Sequence, residues 1–256
     1  MIHSMNSQLI PRRAALPTRI LLSFAMAPLL CAQSPKRPLE VFQTKAGELK
    51  LTPIRHASVM IEAGGKIVHI DPWSQGNYEG LPKADLILIT DIHGDHMDPK
   101  ALELVKKPGT QIFAPAAVAA TVTDATVIKN GETKTAGAFT IEAIPMYNEK
   151  RGPAPGKFYH DKGRGNGYVL TFGGLRLYFS GDTEGIQEMR ALKNIDVAFV
   201  PMNMPNAMPP EEAADAVKAF KPKIVYPYHY RTSDTKVFAE ALAGTGIDVR
   251  IRNWYY

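Results

Sequence analysis

Residues 86–98, Leu-Ile-Leu-Ile-Thr-Asp-Ile-His-Gly-Asp-His-Met-Asp, place four side chains able to bind a metal within six positions. Asp91, His93, Asp95 and His96 offer carboxylate and imidazole, donors that Zn²⁺, Mn²⁺ and Fe accept. Gly94 permits the tight turn that lets its neighbours converge. A plainer reading is a polar turn leading into a helix that starts near Asp98, since Asp and Gly are ordinary turn and cap residues. Two histidines in one turn are what the plainer reading leaves unexplained. A bound divalent ion lowers the pKa of water from about 15.7 toward 7 and polarises the group attacked, so hydrolysis proceeds without a side-chain nucleophile. Covalent acyl chemistry has no candidate: the chain has no Gly-x-Ser-x-Gly elbow, and its one cysteine, Cys31, falls in an N-terminal leader.

The elements that must hold these groups are legible in the flanking pattern. The apolar run 86–89 predicts a short strand buried on both faces and ending in the metal loop. Alternation predicts a strand over 48–62, a turn at Ala63-Gly64-Gly65-Lys66, and a return strand 67–70 that delivers Asp71, with Pro72 stopping further pairing. His69 within that return strand reads as structural, and His56 reads equally as structural or functional. Helix 99–107, strand 111–114, a second helix, and strands 126–129, 133–135 and 139–144 follow. A second hairpin, 168–172 and 175–179, runs directly into Ser180-Gly181-Asp182. It repeats the hairpin ending at Asp71, which predicts two related halves meeting at one edge. Beyond it come helix 183–192, strand 197–200, a loop with Asn203, a helix opened by Pro209-Pro210, strand 223–226 delivering His229, helix 233–243 and closing strand 249–254. Every candidate ligand outside 149–167 thus follows a strand's C-terminal end, where α/β sheets open their clefts. Residues 149–167 are the one long stretch without periodicity. Its cations Lys150, Arg151, Lys157, Lys162 and Arg164 either receive an anionic substrate or form a solvated surface, and it carries His160 away from any core-like face.

The run Asp91-Ile92-His93-Gly94-Asp95-His96 resembles the H-x-H-x-D-H signature of the metallo-β-lactamase superfamily, with Asp91 in place of the first His. Arg55-His56-Ala57-Ser58, Ile70-Asp71-Pro72-Trp73, Ser180-Gly181-Asp182-Thr183 and Tyr226-Pro227-Tyr228-His229-Tyr230 resemble it in the same order. The resemblance covers nearly all of the chain after residue 45 and is nearest the branch that contains ascorbate-6-phosphate lactonase. It implies a four-layer αβ/βα sandwich: two facing mixed β-sheets with helices outside. It further implies two divalent metal ions (Zn, Mn or Fe), with Asp91 and His93 on the first, Asp95, His96 and His229 on the second, and Asp182 between them. Asp95, His93, His96 and Asp182 would then be catalytic, with Asp95 a possible proton carrier. The family places one more first-site histidine after the strand ending at Tyr147, where this chain has Asn148. His160 is the candidate for that missing nitrogen. Asp91 and Asn148 replace imidazoles with oxygen donors, shifting the expected preference toward Mn²⁺ or Fe²⁺. His56, Asn148, Asn203 and Tyr228 are candidate substrate contacts. The expected activity is cleavage of a lactone, another ester or a phosphodiester in a small or lipid-like, and potentially anionic, substrate. The alternatives are a binding protein that keeps the fold with a degenerate first site, and a di-iron redox enzyme.

With 256 residues, 45% of them hydrophobic, the chain can bury one full core. Arg12, Arg13 and Arg19 precede an apolar segment at 20–30, the layout of a secretory signal over 1–32, too short to span a bilayer comfortably. A linker at 33–45 and a single domain at 46–256 complete the expected organisation. Export to the bacterial periplasm or medium follows, with no permanent membrane anchor. Arg12-Arg13 as a twin-arginine signal and Cys31 as a lipid-anchor site are the alternatives, though Leu30 is bulky both for cleavage after Ala32 and for a lipobox before Cys31. The leader holds three Arg and no acid, so its removal lowers the formal charge from +5 to +2. A mature chain that near balance gives no support to a nucleic-acid partner. It also contains no cysteine, which excludes disulfides and thiolate metal sites.

Overall fold

The computed structural model describes residue 1 and residues 38–255. The expected leader, Met1 apart, and linker residues 33–37 lie outside the described residues. Two seven-stranded sheets each follow chain order. The first contains β1 (Glu40–Thr44), β2 (Gly47–Arg55), β3 (Ser58–Ala63), β4 (Lys66–Ile70), β5 (Leu86–Leu88), β6 (Gln111–Ala114) and β7 (Thr126–Val127). The second contains β8 (Thr133–Ala136), β9 (Phe139–Met146), β10 (Gly165–Phe172), β11 (Leu175–Phe179), β12 (Val197–Pro201), β13 (Ile224–Tyr228) and β14 (Asp248–Val249). In each, the first four strands pair antiparallel and the remainder parallel. That repetition is the pair of related halves expected from the two hairpins.

Alternation along the strands separates the layers. Leu86 and Leu88 join Phe179, Phe199, Tyr226 and Trp254 in the core between the sheets. Ile87 and Ile89 point outward, onto α1 (Pro99–Val105) and α2 (Ala116–Ala119) through Leu102, Val105 and Val118. Ala198, Val200 and Val225 face α3 (Gln187–Arg190), α4 (Pro210–Phe220) and α5 (Thr235–Ala241). The parallel register Phe179↔Phe199↔Tyr226 stacks three rings, with centroids 4.6 and 5.0 Å apart. Helix, sheet, sheet, helix is the four-layer order expected.

Four local expectations are corrected. The strand over 48–62 is two strands, folded back at His56-Ala57, with His56 at φ +60°. Alternation is blind to so short a turn. Residues 40–44, placed in a linker, form β1 because they pair with β2 from Glu40↔Leu51 to Thr44↔Gly47. The helix over 183–192 shrinks to α3, since Thr183 and Glu184 spend their side chains on backbone groups instead. The closing strand over 249–254 ends at Val249, and Trp254 leaves it to fill the inter-sheet core at 0% exposure. Among the described residues no helix is long and apolar enough to cross a membrane.

Candidate metal centre

One edge of the two sheets gathers the polar residues. β4 leads to Asp71, β5 to Thr90 and the 91–96 loop, β9 to Asn148, β11 to Asp182 and β13 to His229. The β2–β3 turn adds His56. Of the six described non-glycine residues with positive φ, His56, Asp71, His229 and Arg231 lie here. Backbone strain is concentrated where the ligands must converge. Gly181 has φ +65°, and a Cβ on it would lie 2.4 Å from the Met146 sulfur. No other residue could turn the chain there to present Asp182.

Two ligand sets form, and each could hold an ion. Asp91, His93 and His160 make the first; His96, Asp182 and His229 make the second, with Asp95 and His56 beside His229. The Nε2 atoms of His96, His160 and His229 are buried and make no hydrogen bond, and neither does Asp182 Oδ1. Four buried orphans in one place are costly unless a cation satisfies them. His96 Nε2 and His160 Nε2 each lie 3.6 Å from Asp182 Oδ2, and His229 Nε2 lies 3.4 Å from both Asp182 Oδ1 and Asp95 Oδ2. Such separations are long for hydrogen bonds, yet they match two ligands about 2.0–2.2 Å from a common tetrahedral ion. The donor set therefore fits divalent metal.

Outer partners fix the rings. His96 Nδ1 lies 2.8 Å from Asp71 Oδ2, which also accepts the Thr90 hydroxyl, while Asp71 Oδ1 accepts the Thr90 N–H. His160 Nδ1 lies 2.7 Å from Asn148 Oδ1, which also accepts the His160 N–H, while the Asn148 N–H donates to the His160 carbonyl. With each Nδ1 engaged outward, each Nε2 points inward. Burial pushes His96 toward neutrality, but Asp71 and Asp182 outweigh it and hold its pKa well above the ordinary value. Burial raises Asp182, Asp95 and Asp91, yet facing histidines, and Arg164 for Asp91, keep all three well below the usual carboxylate range. Burial also brings His56 down to about 4, so the ring is neutral near pH 7. Its Nε2 lies 3.1 Å from Asp95 and its Nδ1 2.6 Å from the Tyr255 hydroxyl, which accepts the Arg231 N–H.

Every residue expected as a ligand, His160 included, is in this cluster. The expected substrate contacts fare differently. His56 is 1% exposed with both nitrogens engaged, and its ring lies tilted against His229 with centroids 3.6 Å apart. Asn148 is spent on His160 and Glu184. Tyr228, 1% exposed, accepts the Gly181 N–H and so supports the Asp182 turn. Asn203 is buried, with its amide nitrogen unpartnered. The loop cations mostly face carboxylates of the chain itself: Arg151 meets Glu184 and Glu212, Lys162 meets Glu188, and Arg164 meets Asp91. Missed from sequence were Arg231, 3.1 Å from Asp95, Tyr255 and Glu184, because no local pattern marks a partner over thirty residues away.

Known proteins carry the same organisation. Residues 50–229 match the profile of the β-lactamase superfamily domain. A UPF0173 metal-dependent hydrolase of Thermococcus kodakarensis is 32% identical over 199 residues, covering 72% of this chain and 85% of its own length. A Parabacteroides distasonis crystal structure, named only as a metal-dependent hydrolase, is 46% identical with a TM-score of 0.81, covering 85% of this chain and 99% of that one. The metallo hydrolase Igni18 of Ignicoccus hospitalis is 25% identical with a TM-score of 0.67, covering 80% of this chain and 95% of its own. From the strand repeat, the gathered imidazoles and carboxylates and these likenesses together, the chain belongs to the β-lactamase superfamily, as a metal-dependent hydrolase.

Proposed function

We propose that the chain holds two divalent ions, Zn, Mn or Fe, and hydrolyses a lactone, another ester or a phosphodiester in a small substrate. The observation that carries this reading is Asp182: one carboxylate oxygen faces His229, and the other faces both His96 and His160. A carboxylate so placed can serve both ligand sets at once. When bound, the ions supply Lewis acidity, acidifying water and polarising the oxygen of the bond attacked. The remaining work belongs to the protein. Asp71 and Asn148 hold the His96 and His160 rings in register. Asp95, 18% exposed at its side chain and steadied by His56 and Arg231, is positioned to accept a proton from water and pass it on. Arg231, 52% exposed beside Asp95, supports an anionic group on the substrate. The first set, one carboxylate and two imidazoles, suits Mn²⁺ or Fe²⁺ as well as Zn²⁺. The arginines preceding the 20–30 apolar segment support work after export.

A rival reading, metal or ligand binding without turnover, draws on Arg164 occupying the Asp91 carboxylate. Metal content, together with hydrolysis of bis-p-nitrophenyl phosphate and a lactone panel, separates the two. A pair of ions per chain when metal is supplied in excess, with turnover that falls at least about a hundredfold in Asp182→Ala, is the expected result. One ion and no turnover on any ester would establish the rival.

A further inference from the structure

Arg164 is placed where a metal-site account has no use for a cation. Its Nε donates to Asp91 Oδ1 at 3.1 Å and its Nη2 to Asp91 Oδ2 at 3.0 Å, a bidentate pair against a carboxylate that is fully buried. His93 Nδ1 adds a third contact, 2.9 Å from the same Oδ2. Arg164 has little freedom to leave. It stands one residue before β10, where the Asn166 N–H donates to the Thr90 carbonyl at 2.9 Å, fixing that strand against the residue next to Asp91. Gly165 permits this approach: a Cβ there would come within 2.9 Å of the Thr90 oxygen and 2.2 Å of Met146 Cε.

The consequence is a difference between the two ligand sets. Asp91 is the only carboxylate that belongs to the first set alone, since Asp182 is shared with the second, and the Arg164 guanidinium offsets its charge. In the second set Asp182 meets histidines alone among its close ion-pair partners, with Asp95 near His229. A cation entering the first set gains less Coulomb attraction than one entering the second and must compete for Asp91 Oδ2 with two donors already bonded. We infer that Arg164 is an affinity-setting residue that makes the Asp91–His93–His160 site the weak one, so that the protein keeps one ion firmly and takes the other only when it is supplied. This rests on the two-ion reading above. It adds a built-in inequality and names the residue responsible.

Zn²⁺ titration of the metal-free full chain, followed by elemental analysis after desalting, tests it. Wild type is expected to retain about one ion per chain after desalting and to bind a further one at least about tenfold more weakly. Arg164→Met is expected to tighten the weak step about tenfold or more and leave the strong step unchanged. Arg164→Gln, which keeps a polar group against Asp91, is the second variant should Arg164→Met fold poorly; circular dichroism checks both. Two equal steps in wild type, or a weak step unchanged or weakened further in both variants, would overturn the inference and make Arg164 a structural brace. Two equal steps with ester turnover intact would sink this inference alone. No ion bound at either site would sink the two-ion reading with it.

Discussion

At the residue scale, the site depends on which nitrogen of each histidine is free. Asp71 takes the His96 Nδ1 side and Asn148 the His160 Nδ1 side, so neither ring can turn its other nitrogen inward without losing a short buried bond. Asp71→Asn tests the first of these. The new amide would set N–H groups against the Thr90 and His96 donors, and metal affinity should fall about 10–100-fold, read by chelator competition. Unchanged affinity would remove Asp71 from this role. The sequence placed Asp71 at a strand end beside the site, but two of the three groups bonded to its carboxylate belong to Thr90, nineteen positions on, whose pairing only the sheet creates.

At the element scale, the long 149–164 segment brings His160 to the site and is held by one buried side chain. Glu184, 1% exposed, accepts the backbone N–H groups of Glu149, Lys150 and Arg151, an N–H of the Asn148 amide and the Arg151 guanidinium. Burial alone would raise its pKa, but these donors hold it below the ordinary value. Glu184→Ala would leave several buried donors unsatisfied. It should cost about 3 kcal/mol or more in urea unfolding and lower metal retention by freeing His160. A loss of stability with metal content unchanged would uncouple the loop from the centre. The aperiodic loop was visible in the sequence. Its anchor was read as part of a helix, because helical propensity over 183–192 says nothing of a distant loop short of acceptors.

At the scale of the whole molecule, the two halves present their strand ends to one edge, and buried groups away from it set further properties. His69 is fully buried and its Nε2 lies 3.1 Å from the Pro82 carbonyl. Burial outweighs that bond and brings its pKa down to about 4, against 6.5 when exposed. The folded state therefore favours the neutral ring. Its contribution is complete above pH 6.5 and is lost as pH falls toward 4, a total of about 3 kcal/mol, with about 2 kcal/mol gone by pH 5. Unfolding of chelated protein at pH 7 and pH 5 should show a loss about 2 kcal/mol larger in wild type than in His69→Gln, His56 contributing its own share to both. Equal pH dependence in both would place the acid sensitivity elsewhere.

Residue type and spacing by themselves determined the metal chemistry, the two hairpins with their terminal acids, and the strand-helix rhythm, because a buried strand and a ligand-bearing turn leave local patterns. What they could not decide was partnership. That Asn148 would orient His160, that Arg164 would clamp Asp91, and that His56 would lie in a turn against His229 all depend on sheet register and on where two sheets meet. Those contacts join residues far apart in the chain. Only the packed core, with Trp254 and the stacked rings between the sheets, brings them within bonding distance.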